Sequence, residues 1–157
     1  MVTTNALVDR VRALPTENWR PNPPAPLAAI ENFEREHGFR IPEDHRALLI
    51  CSDGGGLGVR STLHLNSLQR MAALNSDEEI QEALPNLFSI GDDGGGCLYM
   101  YDRTGYLGHG AFAVYLVPLS SLDAVFSWYC APTFAELVEG ILAGRSYSSG
   151  RRLGRAT

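Results

Sequence analysis

The sequence contains no lysine, so the thirteen residues counted as Lys or Arg are all arginines. Without lysine the chain has no residue for Schiff-base chemistry and no phosphate-binding loop that ends in Gly-Lys-Ser/Thr. Cysteine is scarce as well. Cys51, Cys97 and Cys130 lie far apart and form no C-x-x-C pair, which argues against a disulfide framework and against a zinc site. The spacing indicates three reduced thiols, most of them buried.

Positive charge is also in short supply. The 13 arginines stand against 18 acidic residues, which gives a formal net charge of -5. Nucleic acid and anionic lipid attract proteins of the opposite sign, so neither is an expected partner. No apolar stretch approaches the roughly eighteen residues of a membrane span, and Asp9, Arg10 and Arg12 interrupt the region where a secretory signal would be apolar. We expect one compact, cytoplasmic domain of 17.1 kDa.

Helices are predicted near both ends of the chain. Apolar residues at helical spacing indicate an amphipathic helix within residues 1–18 and a second helix that ends at Gly38. Pro42 is placed for the first turn of a third helix. Thr133 and Glu136 form a T-x-x-E capping box before a C-terminal helix. Between the first two helices, RPNPPAP is expected to run as an extended surface segment that joins no strand ladder.

The middle of the chain has the character of a sheet. TLHLNSL alternates weakly, SLQRMAAL and DEEIQEAL are typical of helical or irregular pieces, and LFSI, CLYMYD and AFAVYLV are rich in aromatic and β-branched residues. Both alternate faces of CLYMYD are apolar, which predicts a central strand covered on both sides. The predicted fold class is α+β, a single domain whose mostly antiparallel or mixed sheet is flanked by helices. Residues 145–157 carry four arginines and no acid, and we expect a flexible basic tail there.

Several motifs follow one another in an order typical of one family. After Trp19 and the proline-rich linker come IExFExxHGFxIPEDHRALL, a DGGG turn, FSIGDDGGGxLYMYD and a final TFAEL helix. Over residues 19–144 this order resembles the SUKH superfamily, the Smi/Knr-like domain. The residues that carry the motifs are Trp19, Glu34, Gly38, Ile41, Pro42, Gly54, Gly55, Gly91, Gly94, Gly95 and Asp102.

The chain departs from the family's pattern at two positions. His45 stands where the family usually has an aromatic residue such as tyrosine, and we expect its imidazole to fill a similar half-buried position. Cys97 stands where many relatives have an acidic residue, so no polar role is carried over to it. The resemblance implies a non-enzymatic domain. In bacteria such domains are immunity proteins that bind and neutralise polymorphic toxins, often nucleases, and in fungi one is a cell-wall regulator.

A long stretch of the chain is acidic. Between Arg70 and Arg103 the charged residues are all acids, namely Asp77, Glu78, Glu79, Glu82, Asp92, Asp93 and Asp102. If these segments lie together, their negative surface would attract a basic protein toxin. We therefore predict that the residues in contact with the partner are Glu78, Glu79, Asp92 and Asp93, with Trp128 and Tyr129 as aromatic anchors. The competing interpretations are a solvated acidic face, a turn built on the two aspartates, and a core position for the tryptophan.

The sequence motifs that would indicate nucleotide binding, metal binding or catalysis are weaker than the features that indicate protein binding. The glycines of residues 54–58 lack G-x-G-x-x-G spacing, because Val59 occupies the last position. DDGGG lacks the alternate carboxylates and the distal glutamate of a calcium loop. A nucleophilic Cys97 would need His64 or His109 as its base, and no nucleophile signature surrounds this cysteine. We assign no catalytic residue, no metal, no cofactor and no oligomeric state.

Two alternative functions stay open from the sequence. One is a small metal-dependent hydrolase that uses Asp92, Asp93 and His109. The other is a regulatory adaptor whose partner is not a toxin.

Overall fold

A seven-stranded sheet runs through the protein, and helices pack on it. The computed structural model describes residues 4–59 and 62–149. The helices are α1 (Thr4–Arg12), α2 (Leu27–His37), α3 (Glu43–Cys51), α4 (Leu68–Asn75), α5 (Glu78–Ala83) and α6 (Phe134–Leu142). The strands are β1 (Trp19–Pro21), β2 (Gly55–Leu57), β3 (Leu63–Leu65), β4 (Leu87–Asp92), β5 (Cys97–Asp102), β6 (Ala113–Pro118) and β7 (Trp128–Ala131). None of the helices described is long and apolar enough to cross a membrane.

The strands lie across the sheet in chain order from β1 to β7, and every neighbouring pair is antiparallel. The predicted α+β class with a mostly antiparallel sheet is therefore confirmed. The expectation that the proline-rich segment avoids the ladder is wrong for Arg20 and Pro21, which belong to β1 and pair with β2. Because β1 is an edge strand, the missing N–H of proline can point away from the ladder at little cost.

Strand β5 carries apolar side chains on both faces, and both faces are covered. Tyr99 and Tyr101 belong to the main core, to which α1, α2, α3, α4 and α6 contribute. Leu98 and Met100 belong to a second apolar cluster, which includes Ile80 of α5 and is covered by the loops after β5 and β6. We call the side of the sheet that carries this cluster the second face. The prediction of a central strand covered on both sides is confirmed.

A carboxylate joins the two helices of the longest motif. The left-handed Gly38 (φ 72°) ends α2, as predicted, and its N–H donates to the carbonyl oxygen of Glu34. The side chain of Glu34 accepts a 2.8 Å hydrogen bond from the backbone N–H of Ile41 and lies 3.3 Å from Nε of Arg46 in α3. Pro42 is the N-cap residue of α3. The motif residues therefore set the turn between α2 and α3.

Three of the motif glycines lie where backbones approach closely. A Cβ atom on Gly54 would lie 2.5 Å from a backbone oxygen of β3, and one on Gly55 would lie 2.6 Å from a backbone oxygen of β1. A Cβ on Gly91 would lie 2.3 Å from the carbonyl oxygen of His64. These glycines let the first four strands pair, and the interpretation of the DGGG segment as a turn between a helix and a strand agrees with the structure.

The start of the expected tail is packed and not free. Tyr147 lies in a short 3-10 turn, Tyr147–Ser149, and is half-buried against the main core beside β7. The expectation of a flexible tail therefore fails at this position, because one tyrosine ring supplies an apolar contact within an arginine-rich segment. Residues 150–157, with the last three arginines of the chain, lie outside the described residues, and the tail stays a prediction there.

His45 is fully buried, whereas the sequence led us to expect a half-buried position. Its Nδ1 lies 2.9 Å from Oη of Tyr101 in β5, and its ring stacks on Phe134 of α6 with centroids 4.4 Å apart. Burial lowers the pKa of His45 to about 3, so the imidazole is neutral at pH 7. A neutral histidine thus takes the position of the family's aromatic residue and links α3, β5 and α6.

The close contact at Gly91 predicts a large effect of one methyl group. Gly91→Ala should lower the free energy of unfolding by about 3 kcal/mol, because the strand pair β3–β4 must shift to admit the Cβ. In the turn that follows β4, a Cβ on Gly95 would meet nothing nearer than the Asp93 carboxylate at 3.6 Å, so Gly95→Ala is the matched control and should stay within about 0.5 kcal/mol. Urea unfolding of the two variants measures the difference. Equal midpoints would show that β4 can move away without cost.

The buried His45 predicts a loss of stability in mild acid. The unfolded chain binds a proton at this histidine near pH 6.5, and the folded chain binds it only near pH 3. The free energy of unfolding therefore rises with pH across this window. Between pH 7 and pH 5, protonation of this histidine in the unfolded chain lowers the free energy of unfolding by about 2 kcal/mol. His45→Phe should remove this part of the pH dependence in urea unfolding. His109→Phe, at an exposed histidine, should retain it, and an unchanged slope in His45→Phe would contradict the assignment.

Candidate functional site

Helix α5 presents the first part of the acidic stretch to solvent. Ile80 is buried in the second cluster, so the side of α5 that carries Ile80 faces the sheet. Asp77 is the N-cap residue, and its side chain accepts a hydrogen bond from the N–H of Ile80. Glu78 and Glu79 lie in the first turn, where the helix dipole favours negative charge. With Glu82 they form what we call the acidic surface of α5, and none of its carboxylates is ion-paired within the described residues.

The two aspartates of the DDGGG motif support the turn after β4. Asp92 accepts a 2.9 Å hydrogen bond from the N–H of Gly94 and lies 3.3 Å from Nδ1 of His64. One oxygen of Asp93 accepts from the N–H groups of Gly95 and Cys97, at 2.8 and 3.0 Å. Both carboxylates are half-buried. Their side chains bond to backbone N–H groups nearby in sequence, which agrees with the interpretation of this motif as a turn built on the two aspartates.

The acidic stretch is divided between separate elements. Residues 84–86 lead from α5 into the start of β4, whereas Asp92 and Asp93 lie at its far end. Asp102 is fully buried, and its carboxylate accepts from the N–H groups of Gly105 and Leu107, at 3.1 and 2.9 Å. The exposed part of the stretch is therefore concentrated on α5, and Asp102 belongs to the scaffold.

The two candidate aromatic anchors lie on opposite faces of β7. Trp128 is only 7% exposed and belongs to the main core, so its prediction as a partner anchor is wrong. Tyr129 is half-buried and packs at the second cluster. The alternation of side chains along a strand separates these neighbours, and Cys130 is again on the core side. The same alternation rule could have identified Tyr129 as the better anchor from the sequence, once β7 was recognised.

The second face also carries aromatic rings that the sequence did not place together. The exposed ring of His109 stacks on Tyr129 with centroids 3.9 Å apart and an interplanar angle of 11°. Tyr115, fully buried, lies beneath both, at 6.1 and 5.6 Å. Tyr106, from the same loop as His109, is 50% exposed. These residues lie in a glycine-rich loop and in a strand, so no local spacing groups them.

The charges that act on these rings are carboxylates. Burial, together with the charges of Asp102 and Asp123, raises the pKa of Tyr106. Burial and the charge of Glu136 raise the pKa of Tyr129. We call Tyr106, His109 and Tyr129 the aromatic surface. Carboxylates act on two of its three rings, Tyr106 and Tyr129.

A groove of mixed polarity lies beside α5. It has a volume of about 390 Å³ and is lined by residues that include Gln81, Phe88 and Arg103. The guanidinium of Arg103 donates to the carbonyl oxygen of Pro85 and lies over the ring of Phe39, 5.5 Å from its centroid. Arg103 is thus engaged with the protein itself, and the groove separates α5 from α2.

The structure does not assemble the residues of the hydrolase alternative. Asp92 and Asp93 lie at the turn that precedes β5, whereas His109 lies in the loop that follows it. Among the residues described, no group of three His, Cys, Asp or Glu side chains could hold a metal ion. Cys97 faces the main core and His109 the second face, so they do not meet either. The described residues therefore do not form the three-residue site that this alternative requires.

Comparison with known proteins agrees with the motif order. Residues 24–140, about three quarters of the chain, match the SMI1 / KNR4 family (SUKH-1). The matched range contains both of the most specific motif segments, residues 34–49 and 90–102. No curated protein matches the chain. The resemblance seen in the sequence is confirmed, and the chain belongs to the SMI1 / KNR4 family (SUKH-1).

Proposed function

We propose that the chain is a non-enzymatic immunity-type protein that neutralises a cognate protein toxin by binding it directly. The observation that carries the proposal is membership of the SMI1 / KNR4 family over residues 24–140, because this family includes toxin immunity proteins. A nuclease is the toxin class that we favour. A nuclease that has entered the cell acts on nucleic acid, so the proposal includes a cytoplasmic location.

The charge of the exposed surface supports a basic partner. Nucleases hold a phosphate backbone with basic residues. The acidic surface of α5 has no compensating ion pair among the described residues, and the chain as a whole carries a net charge of -5. Complementary charge speeds the encounter of two proteins and disfavours partners of the wrong sign. The protein would therefore cover the toxin's phosphate-binding face and compete with its substrate.

The contacts of the polar motif residues support binding over catalysis. Glu34, Asp93 and Asp102 each use a carboxylate to accept backbone N–H groups. These carboxylates hold turns and loops in place. What faces solvent on the second face is a set of carboxylates and aromatic rings. Aromatic residues are enriched in binding surfaces, and carboxylates supply charge complementary to a basic partner.

The proposal predicts that charge reversal on α5 slows association with the toxin. In the double variant Glu78→Arg and Glu79→Arg, attraction becomes repulsion, so the association rate should fall about tenfold or more at low salt and the difference should shrink as salt rises. The matched control reverses Glu17 and Glu31, which are exposed on other elements. Stopped-flow association with the toxin encoded beside this gene measures both variants over a salt series.

Folding should survive the change on α5, because the two glutamates contribute about 1 kcal/mol each at most at a helix N-terminus. Thermal melts of both variants check this. If the wild-type chain does not bind the neighbouring toxin, the immunity proposal is wrong. If a folded α5 variant associates at the wild-type rate, the toxin binds elsewhere on the protein.

A further inference from the structure

We propose that a pocket at one end of the sheet receives an uncharged aromatic side chain of the partner. The pocket has a volume of about 280 Å³, and its lining includes Pro42, Ala111, Phe112, Pro132 and Phe134. We call it the end pocket. The inference rests on the proposed function for the identity of the partner only, and the pocket itself can be tested without the toxin.

Direct contacts join the segments that form the end pocket. The ring of Phe134 at the start of α6 stacks on His45 of α3, with centroids 4.4 Å apart. Nδ1 of His45 lies 2.9 Å from Oη of Tyr101 in β5, and Tyr101 meets the ring of Phe112 edge-on, with centroids 5.6 Å apart. His45 and Tyr101 are fully buried. The walls at Phe112 and Phe134 are therefore connected through the core, so the pocket is formed before any partner binds.

Phe112 holds a backbone conformation that is costly for a bulky residue. Its φ is 63°, and among the described residues it is the only one other than glycine with a positive φ. Glycine would adopt this conformation freely. The ring of Phe112 packs on Phe39 and Tyr101, and its N–H donates to the carbonyl oxygen of Asp102 at 2.6 Å. Strain of this kind is typical of binding sites, and here it keeps a half-buried phenylalanine ring in the wall of the end pocket.

The charges around the end pocket are already balanced. The guanidinium of Arg40 forms a 2.7 Å ion pair with Glu43. The two oxygens of Asp44 accept the N–H groups of His45 and Ala135, at 2.9 and 2.8 Å, in the first turns of α3 and α6. Arg40 and Asp44 both line the pocket, so a charged side chain of either sign would approach a group of its own sign. Electrostatics therefore favour an uncharged occupant.

Size and lining favour a single aromatic side chain. Pockets for small molecules usually have volumes of roughly 300–1,000 Å³, so the end pocket is at the lower limit of that range. Phe112 and Phe134 offer ring contacts that an aliphatic side chain would not use. The exposed guanidinium of Arg40 can stack on an aromatic face, and Asp44 has lone pairs left to accept an indole N–H or a phenol O–H. Tryptophan and tyrosine are also enriched among the residues that contribute most to protein interfaces.

The end pocket and the acidic surface of α5 lie at the same end of the sheet. Leu87 at the start of β4, which follows α5, pairs with Asp102, and Asp102 pairs with Ala113 of β6. Val114 then pairs with Ala131, the last residue of β7. Neighbouring strands are about 5 Å apart, so β4 and β7 are about 15 Å apart, and one interface of about 800 Å² on each partner can cover both features. The acidic surface of α5 would act on association, and the end pocket on dissociation.

The first test uses a small probe in place of the toxin. N-acetyl-tryptophan amide is titrated into the full chain, and chemical shifts are followed by NMR. Saturable shifts should be centred on Ala111, Phe112 and Thr133. N-acetyl-leucine amide should bind about threefold more weakly or worse, because aromatic pairs gain free energy beyond the area that they bury. N-acetyl-arginine amide should give no saturable shift. Shifts that are spread evenly over the protein, or equal binding of the leucine or the arginine probe, would overturn the proposal.

Two variants and a control locate the probe on the protein. Ala111→Phe fills the end pocket from an exposed position, and Phe112→Gly removes a wall while it suits the left-handed backbone. Each variant should abolish the saturable shifts. Ala28→Phe is the matched control and should retain them, because Ala28 is exposed on α2 and does not line the pocket. Saturable binding that persists in either pocket variant, once a thermal melt shows that the variant is folded, would contradict the assignment.

The second test uses the neighbouring toxin and separates this inference from the proposed function. Ala111→Phe should raise the dissociation rate of the complex about tenfold or more, because a filled pocket cannot take the anchor side chain. Its association rate should stay close to wild type, because the charges of α5 are unchanged, and Ala28→Phe should keep both rates. If the toxin binds and Ala111→Phe dissociates at the wild-type rate, the end pocket is not the anchor and the immunity function stands. If the toxin does not bind at all, the immunity function fails, and the probe titration alone decides whether the end pocket takes an aromatic side chain.

Discussion

The central strands carry apolar side chains on both faces, and this constraint determines how the rest of the chain is arranged. Tyr99 and Tyr101 of β5 point to one side, Leu98 and Met100 to the other, and all four are buried. Each face must be covered to remove that surface from water. Helices α1, α2, α3, α4 and α6 cover one face. The second face is covered more thinly, by the short helix α5 and by the loops after β5 and β6.

The thin cover explains why the candidate binding features lie on the second face. A loop that packs on a sheet through one or two apolar residues exposes the residues between them. Leu107 packs inward, and its neighbour Tyr106 is exposed. In α5, Ile80 packs inward and the glutamates around it face solvent. The thick helical layer stabilises the fold, and the thin layer displays charge and aromatic rings.

Buried and half-buried carboxylates hold the backbone in place at three points of the fold. Glu34 holds the turn into α3, and Asp102 holds the loop that carries Tyr106. Asp44 of α3 accepts a 2.8 Å hydrogen bond from the N–H of Ala135 at the start of α6. Each of these carboxylates is paired with backbone donors, which is what makes burial of a charge tolerable. The carboxylates of the family motifs on this chain therefore mainly stabilise the fold.

The sequence alone determined the elements whose signals are local. Gly38 and the Thr133 cap mark helix ends through their own backbone and side-chain chemistry, and CLYMYD shows its two apolar faces in its composition. The motif order was enough to identify the family. From the same signals the acidic character of α5 could also be predicted, because the net charge of a short segment does not depend on its surroundings.

Only the tertiary structure decided which of these residues are available to a partner. Trp128 and Tyr129 are adjacent in sequence, but the pleat of β7 sends one into the core and the other to the second face. Asp92 and Asp93 carry carboxylates as Glu78 does, but theirs accept hydrogen bonds from backbone N–H groups of a turn. The aromatic surface joins a loop to a strand across the sheet. Such a surface arises when segments that are distant in sequence pack together. Residue spacing could not predict it, because periodicity relates only residues that are close along the chain.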